Sequence, residues 1–366
     1  MTPTRKVGVE EEMFLVDPRT RLLVPASGRA LDAADSGDQL EQELFLQQVE
    51  TASAPHHAMA DLLPDLRAAR RGAIDAAASV GAVLAAMPVA VLADDDGEVT
   101  PKQRYERMVT RFGQVGQQAL VCGTHVHVDV ADDDEGVGVI DRMAPWLPLV
   151  LALSTGSPFH AGADTGYASW RAETWESWPT AGAVEPFGDA AGYHRAVAAV
   201  IDAGAALDGG MIYFDARLSA AYPTVEIRVA DVCADLADTV VITAVLRSLV
   251  ETCAEWWHDG TPVDPWRVEM LRAARWRARR DGLDGSLIDP AHGRLTSARH
   301  ALDTLVRTIG PALDRHGDRE LVERGIDRLL TDGTGATRQR TAAGPDVDLV
   351  AVVDDVIART EASAGE

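Results

Sequence analysis

Three stretches of the chain are patterned as β-strands, one of them in strict alternation, and helical spacing governs most of the remainder. The first stretch, Val7 to Leu15 (VGVEEEMFL), is apolar and β-prone except for three consecutive carboxylates. Successive strand side chains point to opposite faces, so Glu10 and Glu12 share one face about 7 Å apart while Glu11 joins Val7, Val9 and Met13 on the other. The second, Cys122 to Val130 (CGTHVHVDV), sets Thr124, Val126, Val128 and Val130 against His125, His127 and Asp129. The third, Pro223 to Ala230 (PTVEIRVA), sets Thr224, Glu226 and Arg228 against Val225, Ile227 and Val229.

Around these strands the pattern predicts a helix capped by Asp61, with Pro64 in its first turn, running through Leu66, Ala69 and Ala73 with its arginines outward. A short strand follows over Pro88 to Leu92, then a polar loop from Asp94 to Gly97 and a helix from Arg104 to Gln118. Asp132 to Gly136 reads as an acidic loop, Trp146 to Leu153 and Tyr193 to Leu207 as helices, and Ile212 to Arg217 as a strand. Ser154 to Gly182 is a long aperiodic segment whose aromatic residues argue for order, and it is expected to form a pocket wall. From Asp235 onward everything is helical. One helix reaches about His258, and a second opens with Asp264 as cap and Pro265 at its first position and ends before Gly282. Others cover Ser297 to Leu313, Arg319 to Leu330 and Asp346 to Thr360. The expected organisation is one catalytic domain over 1–366, with a sheet-forming part over 1–234 and a mainly helical part over 235–366.

With 366 residues and 46% hydrophobic content the chain can bury a substantial core. Its formal charge of -23 argues against a nucleic-acid or anionic-membrane surface, both of which demand a positive field. Lysine occurs only at positions 6 and 102, which leaves little room for a Schiff-base lysine and excludes the Walker P-loop. Three widely separated cysteines fit neither a disulfide scaffold nor a CxxC metal site, and the first residues lack the pattern of a signal peptide. A reducing cytoplasm is the expected location. Ala76 to Ala93 is uncharged but alanine-rich and interrupted by Gly81 and Pro88, so it reads as a helix end followed by a buried strand rather than a membrane span.

Each alternating strand carries a polar pair at i and i+2: Glu10 with Glu12, His125 with His127, Glu226 with Arg228. Taken singly, each pair fits a solvated sheet face or a blunted edge strand. Buried together they would need partners, because desolvating a charge costs several kcal/mol. With Glu43 and Glu50 in reach they point to a carboxylate-dominated site for more than one metal ion, whose hard oxygen donors suit Mg2+ or Mn2+ better than Zn2+. HExxH, GxSxG and GxGxxG signatures are absent. The HxH pair also admits a binuclear amidohydrolase, although there it would precede further metal histidines. A helix face with Arg272, Arg275 and Arg279 reads either as a solvated surface or as a phosphate funnel.

VGVEEEMFLV, the Glu43 to Ser53 segment, CGTHVHVDV, SPFHAGADTGYASWR with WPTAG, and TVEIRVADV occur together and in this order. In this the chain closely resembles the glutamate-cysteine ligase type 2 family, in its carboxylate-amine ligase branch. The resemblance runs from about Val7 into the C-terminal helices. It implies an α+β, glutamine-synthetase-like fold, with a curved, mainly antiparallel sheet forming a funnel and helices packed outside. It also implies an ATP-dependent ligase that phosphorylates a substrate carboxylate and lets an amine attack the acyl phosphate, with glutamate and cysteine as default substrates. By the same resemblance Glu10, Glu12, Glu43, Glu50, His125 and Glu226 would hold Mg2+, and Arg171 and Arg228 would be catalytic. His127, Asp164, Thr165 and Ser169 would contact substrate or nucleotide. Small amino-acid-like acids and amines would be the partners, with room for a homodimer. Thr155-Gly156, His160 and Ala183 to Pro186 depart from the family pattern in the expected pocket wall. The rivals are an ATP-independent amidohydrolase and a non-catalytic nucleotide-binding relative.

Overall fold

The computed structural model describes residues 4–33, 40–93, 97–264 and 266–365. Its strands are β1 (Val7–Val16), β2 (Leu40–Gln42), β3 (Gln48–Ala52), β4 (Val83–Ala85), β5 (Gly123–Asp129), β6 (Phe159–His160), β7 (Ala163–Asp164), β8 (Ala216–Leu218), β9 (Thr224–Asp231), β10 (Ser286–Asp289) and β11 (Arg294–Ser297). The first half of the chain also carries helices α1 (Ser27–Ala33), α2 (Met59–Ser79), α3 (Gln103–Phe112), α4 (Gln114–Gln117), α5 (Asp133–Met143), α6 (Leu147–Ser154), α7 (Trp170–Trp175) and α8 (Ala190–Asp202). Beyond β9 come α9 (Leu236–His258), α10 (Val268–Asp281), α11 (Ala298–His316), α12 (Arg319–Asp332), α13 (Gly335–Ala343) and α14 (Leu349–Gly365).

The main sheet has the order β2-β3-β1-β5-β9-β8, with β4 also on β1, and every pairing in it is antiparallel. The expected α+β class with a mainly antiparallel sheet is therefore what the chain forms. One face of this sheet supplies Val7, Val9, Met13, Val126, Val128, Val225 and Ile227 to the core, all essentially inaccessible to solvent. The central helix α9 packs behind β1 and β5 and is flanked by α2, α5, α6, α11, α12 and α14. Burial of this apolar face, at about 25 cal/mol per Å2, fixes which side of the sheet packs into the core and leaves the polar face on the other.

Several local expectations need correction. The cap of α2 is Ala58, without a side-chain hydrogen bond, and Asp61 lies inside the first turn. Its arginines do not all point outward, because Arg70 is fully buried. The strand after α2 is β4, while Val89 makes only an isolated bridge to Val121. Asp94 to Asp96 and Pro265 lie outside the described residues. The expected helix from Arg104 to Gln118 is broken into α3 and α4 at Gly113, whose φ of 57° places it in the left-handed region that glycine tolerates. Asp132 is a helix cap, accepting from the backbone N–H of Glu135, so the acidic run opens α5 instead of forming a loop. The strand expected over Ile212 to Arg217 is confined to β8, preceded by a turn of 3-10 helix at Gly209–Met211. The hairpin β10–β11 and helix α13 were not foreseen. Among the described residues no single helix is long and apolar enough to cross a membrane.

Candidate active site

The sheet register brings the polar pairs of the three alternating strands onto one continuous floor. Across β1 and β3, Glu12 stands directly opposite Glu50; across β1 and β5, Glu10 opposes His125; across β5 and β9, His127 opposes Glu226. One strand further, Glu226 opposes Arg217 of β8. Glu43 joins from the turn after β2, a position held by the hydrogen bond that Thr100 Oγ1 donates to its carbonyl at 2.7 Å. Three interlocking triads result: Glu10, His127 and Glu226; Glu10, Glu50 and His125; Glu12, Glu43 and Glu50. Within each triad one donor atom per residue lies within 4.8 Å of the others. All six residues expected to hold metal are thus brought together, with His127 completing one triad.

The floor lines a cavity of about 330 Å3. Its walls come from Arg104, Tyr105 and Met108 of α3, from Trp175, Trp178 and Tyr213, and from the Ser219 to Tyr222 turn before β9. The aromatic wall is internally packed, with the rings of Trp175 and Tyr213 at 4.8 Å and those of Trp178 and Tyr213 at 5.4 Å.

Electrostatics on the floor are unbalanced from one end to the other. Burial, reinforced by the neighbouring carboxylates of Glu43, Glu10 and Glu12, pushes Glu50 well above the ordinary carboxylate range. Burial also raises Glu12, with Glu43 adding to the shift and His125, Arg171 and Arg228 opposing it. Burial opposes ionisation of Glu10 too, but His125 and His127 beside it outweigh the effect and hold its carboxyl well below the usual range. At the far end burial of Glu226 is overcome by the guanidinium groups of Arg228 and Arg217, which bring it down to about 2. The Glu12/Glu43/Glu50 end is therefore a concentration of acids that, among the described residues, has only the His125 imidazole at ion-pair distance. The Nε2 atom of His125 is buried without a hydrogen-bond donor or acceptor, 3.6 Å from Glu12 Oε1. Hard carboxylate oxygens supplemented by imidazole nitrogens, self-repelling unless a cation intervenes, fit Mg2+ or Mn2+.

Arg228 lines the cavity, pairs with Glu226, lies 3.4 Å from Nδ1 of His125 and stands over the Tyr213 ring at 5.9 Å. Arg171 is not in the lining. It is buried behind the floor, 3.9 Å from Asp231 and 3.4 Å from the carbonyl of Arg228, to which it donates. Gly123 makes room for it, since a Cβ there would sit 2.1 Å from Arg171 Nη2. Burial lowers the Arg171 pKa, with Asp231 and Glu12 partly offsetting the effect.

Ser169, expected at the ligand, instead caps α7 and donates to Asp231 Oδ1 at 2.8 Å. Asp164 and Thr165 are also elsewhere: Asp164 accepts from Arg340 at 2.9 and 3.1 Å, and Thr165 Oγ1 donates to the Pro158 carbonyl. The Ser154 to Gly182 segment therefore supplies the cavity wall only through Trp175 and Trp178. Neither Thr155, Gly156, His160 nor Ala183 to Pro186, all expected in the pocket wall, belongs to the lining. On α10, Arg275 pairs with Asp215 and Arg279 with Glu173 and Glu176, so two of the three arginines read as one face are buried in ion pairs.

Sequence reasoning missed Arg217, whose guanidinium forks onto both oxygens of Glu226 at 2.8 and 3.0 Å, and Arg104, which forks onto Asp208 at the rim. Arg217 carried a usable signal, because it ends a short run next to the TVEIR strand with which it pairs. Arg104 carried none, since a helical arginine is usually solvated.

Residues 6–351 match glutamate-cysteine ligase family 2 (GCS2). The chain belongs to that family. It is 48% identical over 370 residues to "Putative glutamate--cysteine ligase 2-1" of Nocardioides sp., covering 98% of this chain and 97% of that protein. It is 42% identical over 367 residues to "Putative glutamate--cysteine ligase 2" of Streptomyces coelicolor, covering 98% and 100%. Among solved structures, its fold is similar to glutamate–cysteine ligase of Francisella tularensis in complex with AMP, with a TM-score of 0.69 at 12% identity, covering all of this chain and 93% of that one. A bifunctional glutathione synthetase from Pasteurella multocida gives a TM-score of 0.67 at 15% identity over all of this chain and 53% of its own. The family is one of ligases that form carbon–nitrogen bonds.

Proposed function

We propose that this protein is an ATP-dependent carboxylate–amine ligase. It would activate a small carboxylic acid as its acyl phosphate and join it to an amine, with glutamate and cysteine as the default pair and Mg2+ or Mn2+ on the acidic floor. The observation that carries this reading is the in-register opposition of Glu12 and Glu50, with Glu43 beside them and His125 at their edge, a carboxylate-rich cluster of the kind that holds a hard cation. Metal ions bound there would draw together two anions, carboxylate and triphosphate, that otherwise repel.

The residues of the chain then divide the work. Glu10, Glu12, Glu43, Glu50, His125 and Glu226 would hold the metal, with His127 beside Glu10 and Glu226. Arg228, within the lining, would meet the migrating phosphoryl group, and Arg217 would hold Glu226 in place by its two-point grip. Arg171 would act from behind the floor on Glu12 rather than on substrate. The aromatic wall of Trp175, Trp178 and Tyr213 would limit access of water to the reacting groups. No protein nucleophile is needed, which accords with the Cys122 thiol being buried and pushed far up by burial and by Glu12.

The test is ADP release measured against a matrix of amino acids as acid and amine. Release that requires one of each supports the proposal. Amide hydrolysis without ATP would support the amidohydrolase instead, and nucleotide binding without turnover a non-catalytic relative.

A further inference from the structure

Glu11 is the middle carboxylate of the VGVEEEMFL strand, and strand alternation sends it to the face opposite Glu10 and Glu12. There it is fully buried among apolar side chains, and so is Arg70 of α2. Arg70 donates from Nε to Glu11 Oε2 at 2.9 Å and from Nη2 to Glu11 Oε1 at 2.8 Å. Thr239 of α9 donates to Glu11 Oε1 at 3.1 Å. The remaining guanidinium hydrogens reach the carbonyls of Ala234 and Cys233, just past β9, and Ser363 Oγ on α14. The Arg70–Glu11 pair therefore ties the middle of β1 to the segment just past β9 and to helices α2, α9 and α14.

Such a pair is a poor device for stability alone. Desolvating both charges costs several kcal/mol, and well-packed apolar replacements of buried ion pairs are often neutral or stabilising. What the pair does offer is direction. A two-pronged guanidinium grip allows one orientation of the carboxylate, whereas apolar packing on a sheet face tolerates small slides. The peptide units on either side of Glu11 are those from which Glu10 and Glu12 project onto the floor. Glu10 contributes to two of the three triads and Glu12 to the third, so a shift of the strand at Glu11 moves donors in all of them. Metal sites require donor positions to be held within a few tenths of an ångström.

We propose that Arg70 and Glu11 are positioning residues for the metal floor, fixing from the reverse face of β1 where the Glu10 and Glu12 carboxylates stand. This rests on the metal-binding reading of the floor. Neither residue touches the cavity, so neither is catalytic.

The test uses Mn2+ binding followed by electron paramagnetic resonance on the full-length protein, alongside thermal melting and steady-state ADP formation. The double variant Glu11→Met, Arg70→Met replaces the pair by apolar groups of similar length. It is expected to melt near the wild type, yet to bind Mn2+ about tenfold or more weakly, as loss of an orienting partner does at metal sites. Its apparent KM for the metal–nucleotide should rise more than its kcat falls. If that variant does not fold, Arg70→Lys, which keeps the buried charge but not the fork, carries the same expectation of weakened Mn2+ binding. Wild-type Mn2+ affinity in whichever variant folds, with or without a lowered melting point, overturns the proposal. Absence of Mn2+ binding by the wild-type protein would instead overturn the metal reading of the floor on which the proposal stands.

Discussion

Glu12 of β1 and Glu50 of β3 are direct cross-strand partners on the same face of an antiparallel sheet, and Glu43 completes a triad with them. Where the pH is high enough to ionise both, like charges so opposed destabilise a strand pair by up to about 1 kcal/mol. At pH above the raised Glu50 value, Glu50→Gln is therefore expected to stabilise the metal-free protein slightly, by a melting increase of about 1–2 °C for a chain of this size. It should also abolish the further stabilisation that Mg2+ gives the wild type. Melting curves with and without Mg2+ check this, and a destabilised metal-free variant would count against it.

The same pair predicts how metal affinity depends on pH. Glu50 and Glu12 are both raised above their ordinary value of 4.5, so the folded chain without metal holds protons there that the unfolded chain releases. Stability of the metal-free fold should fall as pH rises from about 4.5 toward the raised values, because there the folded state binds more protons than the unfolded one. Metal binding must displace those protons. Calorimetric titration in buffers of different ionisation enthalpy should show proton release that diminishes as pH increases, and affinity that grows with pH. Mg2+ affinity independent of pH between 5 and 8 would contradict this.

Metal preference follows from the donors. Mg2+ and Mn2+ should support turnover and Zn2+ should not, since carboxylate oxygens outnumber imidazoles and no cysteine is among the described residues lining the cavity. Glu10→Gln and Glu12→Gln should each lose most turnover with the fold retained. Full activity with Zn2+ alone, or normal turnover in both variants, would refute the assignment.

Arg228→Lys preserves charge beside Glu226 but loses the planar fork that can hold two oxygens at once. A loss of about 100-fold in turnover with little change in melting is expected. Normal kinetics, or a loss explained wholly by a lowered melting point, would remove Arg228 from the chemistry.

Gly123→Ala tests the layer behind the floor. A Cβ there would stand 2.1, 2.6 and 2.9 Å from atoms of the Arg171 guanidinium, which is itself hemmed in by Asp231. The variant should lose about 1–3 kcal/mol of stability in denaturant unfolding, the usual range for overpacking. A variant as stable as wild type would show that Arg171 has room to move.

The floor was legible because β alternation is the simplest periodic signal: polar pairs at i and i+2 on three strands can meet only if the strands share a sheet, and the register then aligns them. What the sequence did not disclose depends on long-range packing. Arg70 looked like one of several solvated arginines on α2, and only the reverse face of β1, with Glu11 exposed to it, explains its burial. Asp164, Thr165 and Ser169 belong to a segment with no period, where polar residues serve caps and turns as readily as ligands. In the fold they satisfy Arg340, Pro158 and Asp231. Arg275 and Arg279 follow a helical face in the sequence, but their partners Asp215, Glu173 and Glu176 lie far earlier in the chain and cannot be read from that face.

On the proposed reading, the floor serves to make a carboxylate react with ATP before an amine attacks. The most direct measurement supplies glutamate with 18O in its carboxyl groups, or whichever acid supports ADP release, together with amine, ATP and Mg2+, and determines the label in inorganic phosphate by mass spectrometry. An acyl phosphate hands one carboxylate oxygen to the phosphate it loses, so one 18O per amide formed should appear in phosphate. Amide formed with unlabelled phosphate would contradict the account.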